Sequence, residues 1–220
     1  MTMEATIKNY KLEDWSRRWV DRETAFHVAG VNHILQNFFD QVRGDTVFVP
    51  LCGKTLDMLW LAQQNCTVVG VDGVETPVQE FFAENNLDYS VRQLNDDVKI
   101  YKAKNVDITI FICDLFASKP ELFGMQFDLI WDRGSFVAIN VDERAKYTCL
   151  LSNLLAPEGK WFLVTVDYDD KILGEPPRTV SEEDMRQFAP LNFTKVYSDL
   201  TKAYNPKVEE MIENAYVIIK

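Results

Sequence analysis

The sequence predicts an α/β chain with a mostly parallel central sheet and helices on both faces, and three observations carry that prediction. First, short β-rich apolar runs alternate with stretches of helical periodicity along most of its length. Second, positions 46–72 read as a strand, a tight glycine turn, an apolar helix and a second strand that ends on a carboxylate: Thr46-Val-Phe-Val-Pro-Leu-Cys-Gly-Lys-Thr55, then Thr67-Val-Val-Gly-Val-Asp72. Third, 220 residues at 47% hydrophobic and 12% aromatic content are enough for one sizeable core and short for two. We therefore expect a single domain over 1–220, with a helical cap over 1–45 and a Rossmann-like core over 46–220.

In chain order, Lys11–Trp19 reads as a short helix. Val31–Gln41 reads as another, because Val31, Ile34, Leu35, Phe38 and Phe39 recur with a 3.6-residue period. Val47–Leu51 is the first core strand, Thr55–Gln64 the helix that follows, and Val68–Val71 the second strand. Thr76-Pro77-Val78-Gln79 has the form of a capping box with proline at the first helical position, which would open a helix burying Val78, Phe81 and Phe82. Val98–Lys102 and Ile108–Ile112 flank a polar turn and predict a hairpin, Phe127–Trp131 a strand, and Asp142–Leu155 a helix stopped by Pro157 and Gly159 before strand Trp161–Val166. Tyr168–Val180 is the longest loop. A helix opened by Ser181 and strands Phe193–Tyr197 and Asn214–Ile219 complete the chain.

The spacing of Gly53 and Asp72 suits a nucleoside-binding βαβ unit, in which a small residue lets the backbone meet the ligand and an acid about 20 residues later accepts the ribose hydroxyls. A dinucleotide site would need G-x-G-x-x-G, and a lone Gly53 between Cys52 and Lys54 argues against NAD or FAD. Gly53-Lys54-Thr55 ends like a phosphate-binding loop, but that motif requires glycine where Phe48 stands. An adenosine ligand without phosphates remains, of which S-adenosylmethionine is the commonest. Asp72, Asp114 with Leu115, and Asp132 with Arg133 all follow strand ends, the edge at which open α/β sheets bind ligands. Asp114 is equally readable as a turn cap, and the alternative for Arg133 is an ion pair with Asp132 or Asp142.

Cys52, Cys66, Cys113 and Cys149 form no C-x-x-C pair and the only histidines are His27 and His33, so we expect no metal and four small buried thiols. A net charge of −11 repels phosphate backbones, which argues against nucleic acid. No apolar run has the length of a membrane span and the first residues lack a signal peptide's pattern, so we expect a cytoplasmic protein. A small-molecule substrate and a monomer are the default expectations.

Trp15-x-x-x-Trp19, Thr24-Ala25-Phe26-His27, Val49-Pro50-Leu51-Cys52-Gly53-Lys54, Gly70-Val71-Asp72, Glu80-Phe81-Phe82 and Ile130-Trp131-Asp132-Arg133-Gly134 together resemble the thiopurine S-methyltransferase family, in that order and nearly throughout the chain. The resemblance implies a class I methyltransferase fold, a last strand that runs antiparallel, S-adenosylmethionine as co-substrate, and methyl transfer to small aromatic or heterocyclic thiols. Inorganic selenium or tellurium acceptors, or a protein that binds the nucleoside without chemistry, stay open as alternatives. It further implies cofactor contacts from Trp15, Trp19, Leu51, Gly53, Asp72, Asp114, Leu115 and Arg133, and acceptor contacts from Phe26 and Arg133, with the first helix as a lid. Trp15 and Trp19 lie one helical turn apart and so share a face. A thiolate attacking a sulfonium methyl is already a good nucleophile, so we expect no committed catalytic base, and His27 reads as structural.

Overall fold

The structure, a computed structural model, describes residues 8–169, 174–188, 191–203 and 208–220. Two helices, α1 (Leu12–Val20) and α2 (His33–Val42), precede β1 (Thr46–Val49), α3 (Asp57–Gln63), β2 (Thr67–Asp72) and α4 (Glu75–Glu84). Next come β3 (Tyr89–Asn95), β4 (Val98–Ala103), β5 (Ile108–Ile112), β6 (Phe127–Arg133), α5 (Arg144–Leu154), β7 (Leu155–Asp167), α6 (Glu182–Phe188), β8 (Asn192–Lys202) and β9 (Glu210–Ile219). The strands form one nine-stranded sheet in the order β3-β4-β5-β2-β1-β6-β7-β9-β8. Its centre, β5-β2-β1-β6-β7, is parallel, and β4 joins β5, and β9 joins β7, antiparallel.

Strands β1 and β2 carry near-continuous apolar runs because the sheet is covered on both faces. One face packs Phe48, Ile130 and Trp161 against Tyr147 and Leu151 of α5; the other packs Val47, Val68 and Leu129 against Ile34, Met58, Leu61 and Phe81 from α2, α3 and α4. Gly70 of β2 is required by packing. A Cβ there would lie 2.9 Å from the Cys52 sulfur and 3.0 Å from the Met58 sulfur, so its absence lets the turn after β1 fold down onto the neighbouring strand.

The sequence reading differs from the structure in several places. Helix α4 begins at Glu75 with Val74 as N-cap and no side-chain cap, so the Thr76 capping box does not form. The start is set by β2 instead: the Asp72 carboxylate accepts the Val74 N–H at 2.8 Å and turns the chain into the helix. Pro77 then falls in the first turn, where a missing N–H costs no helical bond. Strand β3 was not anticipated, because its residues are exposed throughout and carry no burial pattern. It pairs only with β4, at the sheet's edge. Strand β7 begins at Leu155 and loops out Ala156–Gly159 opposite Asp128, so the proline-glycine stop became an irregularity within the strand. Cys149 is exposed on α5, against the expectation of four buried thiols.

Other expectations hold. β4 and β5 form the hairpin and β9 is antiparallel. Ser181 opens α6 with reciprocal bonds: its N–H donates to Asp184 Oδ2 at 2.8 Å and its Oγ accepts the Asp184 N–H at 3.2 Å. Of the Tyr168–Val180 loop, residues 170–173 lie outside the described residues. Among the described residues no helix is long and apolar enough to cross a membrane.

Candidate active site

A cavity of about 580 Å³ opens at the carboxyl ends of β1, β2, β6 and β7, and α1 with the segment after it covers the opening. Its floor is the turn Leu51-Cys52-Gly53, where Leu51 has φ +43° and Gly53 φ +50°. A non-glycine residue in the left-handed region is uncommon and costs of order 1 kcal/mol or more, and such positions cluster where a site over-determines the backbone. The turn is held by the Cys52 N–H donating to the Val71 carbonyl at 2.9 Å and the Gly53 N–H donating to Asp72 Oδ2 at 2.7 Å. Asp72 is therefore braced on both oxygens, through Gly53 and Val74, at the bottom of the cavity. Burial pushes its carboxyl up to about 6, against the lowering effect of those N–H donors. Cys52 beside it is buried and its thiol pushed well up by desolvation and by Asp72, which leaves it a neutral, packing sulfur.

The β6 motif splits between the two faces because strand side chains alternate. Trp131 donates its Nε1–H to Asp57 Oδ2 at 2.8 Å on the cavity side. Asp132 points into the opposite core and accepts from the Tyr147 hydroxyl at 2.8 Å and the Trp161 Nε1–H at 3.2 Å, its carboxyl pushed up to about 6 by burial. Arg133 returns to the cavity, where its Nη1 donates to the Phe26 carbonyl at 2.8 Å. Asp57 also accepts the Asn32 N–H at 2.7 Å, and Asn32 in turn caps α2 by accepting the Ile34 N–H at 2.9 Å. That chain of bonds fixes the segment 21–32 against the sheet.

Trp15 and Trp19 share the inner face of α1 and meet Phe26 edge-on, with ring centroids 5.8 Å and 5.5 Å away. The Trp19 ring lies over the glycine turn: a Cβ on Gly53 would come within 3.1 Å of it. The lid is fastened at both ends. Beyond α1, Arg22 pairs with Glu80 at 2.5 Å, and Glu80 pairs with Lys54 of the turn at 2.8 Å. Before α1, Asn140 donates its Nδ2–H to the Tyr10 carbonyl and accepts the Tyr10 N–H, both at 2.9 Å, while Arg178 donates to the Lys8 carbonyl at 2.6 Å and to Asn140 Oδ1 at 3.0 Å. His27 lines the same cavity, and burial with the nearby Lys54 lowers its pKa, so the imidazole is neutral at pH 7.

Of the residues singled out from sequence, Trp15, Trp19, Phe26, Leu51, Gly53, Asp72 and Arg133 all line this one cavity. Asp114 and Leu115 do not. Asp114 is exposed and its carboxylate accepts the Phe116 N–H at 2.8 Å, the turn-capping alternative, and Leu115 is buried in the α5-side core. Lys54 and Glu80 stand in motifs that assign them no role, and Asn140 and Arg178 carry no signal in the sequence, since the groups they hold at the lid are the backbone of Tyr10 and Lys8, distant in the chain.

A sequence model described as Thiopurine S-methyltransferase (TPMT) matches residues 10–218. The chain belongs to the thiopurine S-methyltransferase family. It is 35% identical over 202 residues to thiopurine S-methyltransferase of Aliivibrio fischeri strain MJ11, covering 90% of this chain and 92% of that one. With the Rattus norvegicus thiopurine S-methyltransferase it shares 36% identity over 182 residues, 80% and 75% of the two chains. In fold it is similar to an Anabaena variabilis SAM-dependent methyltransferase (TM-score 0.65, 15% identity, 100% and 99% covered). It is likewise similar to a Burkholderia thailandensis 1,6-didemethyltoxoflavin-N1-methyltransferase, solved with S-adenosylhomocysteine (TM-score 0.62, 15% identity, 95% and 87% covered). The family member is an S-adenosylmethionine-dependent S-methyltransferase with the class I fold.

Proposed function

We propose that this enzyme methylates small aromatic or heterocyclic thiols of the thiopurine type. The observation that carries the reading is the single cavity that joins a braced carboxylate, an aromatic wall of Trp15, Trp19 and Phe26, and the Arg133 guanidinium. Its size suits a nucleoside with a one- or two-ring acceptor. Residues 1–220 act in this reading as one unit, with 1–45 as the cap, in the cytoplasm, as a monomer and without nucleic acid.

S-adenosylmethionine supplies a methyl on a sulfonium, displaced in line by the acceptor sulfur, with the electron pair of the broken C–S bond left on S-adenosylhomocysteine. Asp72 is assigned to the ribose diol. Its bonds to backbone N–H groups, Gly53 and Val74 among them, hold the carboxylate in place, and a carboxylate has acceptor capacity for about four donors. The bare Gly53 turn gives the adenosyl group close approach under Trp19. Trp15 and Trp19 present indole faces that attract a sulfonium or ammonium. Leu51 supplies an apolar contact beside the turn. Phe26 and Arg133 form the acceptor side, where the arginine favours an acceptor already ionised to thiolate. Asp114 and Leu115, which lie outside the cavity, are given no contact in this reading. No base is needed, because alignment and exclusion of water under the lid carry the rate.

The test is incubation of labelled S-adenosylmethionine with thiophenol, mercaptopurine, selenite, a catechol and an amine. Methylation of the two thiols is expected. Preference for selenite would move the acceptor to inorganic selenium, and preference for the catechol or amine would overturn the thiol reading. Arg133→Lys is expected to lower turnover more than it weakens S-adenosylhomocysteine, because the planar fork is lost while the charge stays.

A further inference from the structure

Two neighbouring arginines of α1 have opposite environments. Arg17 faces outward and pairs with Asp14 at 2.7 Å. Arg18 faces inward and lines the cavity. Its guanidinium carbon lies 5.8, 5.6 and 5.4 Å from the rings of Tyr10, Trp15 and Phe26, and its Nε–H donates to the Glu23 carbonyl at 3.2 Å. Its Nη1, sealed from water, meets no hydrogen-bond acceptor among the described residues. The ion pairs between described residues leave Arg18 out.

A guanidinium does not lose its charge inside a protein, so the cation has to be accommodated as it stands. A dry donor without a partner is costly, and on the wall of a binding cavity a bound ligand is the group placed to complete it. The three rings attract the cation and hold it in one place but accept no strong hydrogen bond, so they orient Arg18 without satisfying it. Phe26 is thereby bracketed, its ring against Arg18 and its carbonyl on Arg133.

We propose that Arg18 is an anion-binding donor of the cavity, its Nη1–H completed by a carboxylate or thiolate of a bound ligand. Two sources share that chemistry: the amino-acid carboxylate of the S-adenosyl ligand, and the acidic group of the acceptor. The second source rests on the thiol reading above; the first rests only on family membership.

The experiment uses the full chain carrying Arg18→Gln. Calorimetry compares S-adenosylhomocysteine with 5′-methylthioadenosine, which lacks the amino-acid carboxylate, and steady-state kinetics follow thiophenol and 4-mercaptobenzoate. Loss of about tenfold in S-adenosylhomocysteine affinity with methylthioadenosine unchanged assigns the cofactor carboxylate. Unchanged S-adenosylhomocysteine with KM for the thiols raised about tenfold and kcat held assigns the acceptor anion. Equal losses for both nucleosides, or no change in any of the measurements, would overturn the proposal and leave Arg18 as packing of the lid. Should Arg18→Gln fail to fold by circular dichroism, Arg18→Lys keeps stem and charge and carries the same comparison at about three- to fivefold. A wild-type enzyme that methylates no thiol would sink the acceptor class while the two nucleosides still read out Arg18.

Discussion

The floor of the cavity and its lid are built on different principles. The floor is local: the Gly53 and Val74 N–H groups both donate to the Asp72 carboxylate, at the ends of the buried strands β1 and β2. The lid is side chains reaching far along the sequence, with Trp19 over Gly53, Arg22 on Glu80, and Tyr10 on Asn140. Damage to the floor therefore removes a specific contact, whereas damage to the lid removes enclosure and leaves the sheet intact.

Removal of residues 1–20 separates the two most sharply. Among the described residues it takes away Trp15, Trp19 and the Tyr10 anchor but no strand, so circular dichroism should report a folded core while titration finds no retained S-adenosylhomocysteine. Wild-type affinity in the truncated protein would make the lid mere packing.

Asp72→Ala attacks the floor. The loss of charge-assisted bonds to the ribose should weaken S-adenosylhomocysteine by about 1.5–3 kcal/mol, ten- to a hundredfold. A folded variant of unchanged affinity would remove Asp72 from the site.

Acid should act on the floor alone. With Asp72 pushed up to about 6, S-adenosylhomocysteine affinity should fall below that pH by up to about tenfold per unit, and Asp72→Asn should abolish the dependence. The stability effect has the opposite direction. A carboxyl whose folded pKa is raised above the ordinary 3.8 contributes stability that is present below pH 3.8 and lost as pH rises through about 6. Asp132, also near 6 but on the far face, should share in this loss of stability without touching affinity. Thermal melts and titrations across pH 4–8 distinguish them.

The smallest effect belongs to the lid's outer fastening. The Lys54–Glu80 pair is partly buried and Arg22 is largely exposed, so Glu80→Gln should weaken S-adenosylhomocysteine by only about two- to fivefold. Molar salt should reproduce part of the loss in the wild type.

The same contrast explains what was legible in the sequence. Gly53 and Asp72 were visible because their relation is local and fixed by strand–turn–helix geometry. The core strands showed in their apolar runs, and β3 did not because it buries nothing. Trp15 and Trp19 announced a shared face through helical spacing, but what they cover depended on the fold. Asp132 looked like a site residue from its place after a strand, and only the alternation of β6 sends it into the opposite core. Asn140 was invisible, since its partner is the backbone of Tyr10, and backbone groups leave no residue signature.

Asn140 offers Tyr10 one donor and one acceptor, the same pair that a neighbouring strand would present. A strap gripped in that way lets go as a unit, and on the proposed placement each exchange of S-adenosylhomocysteine for fresh S-adenosylmethionine has to part it. The door, then, would set the clock. Rapid mixing with saturating thiol should show a burst of about one methylated product per enzyme before the steady state, and Asn140→Asp, which withdraws the donor, should quicken that steady rate even as it loosens the ligand. A linear time course from the first turnover would place the slow step in methyl transfer instead.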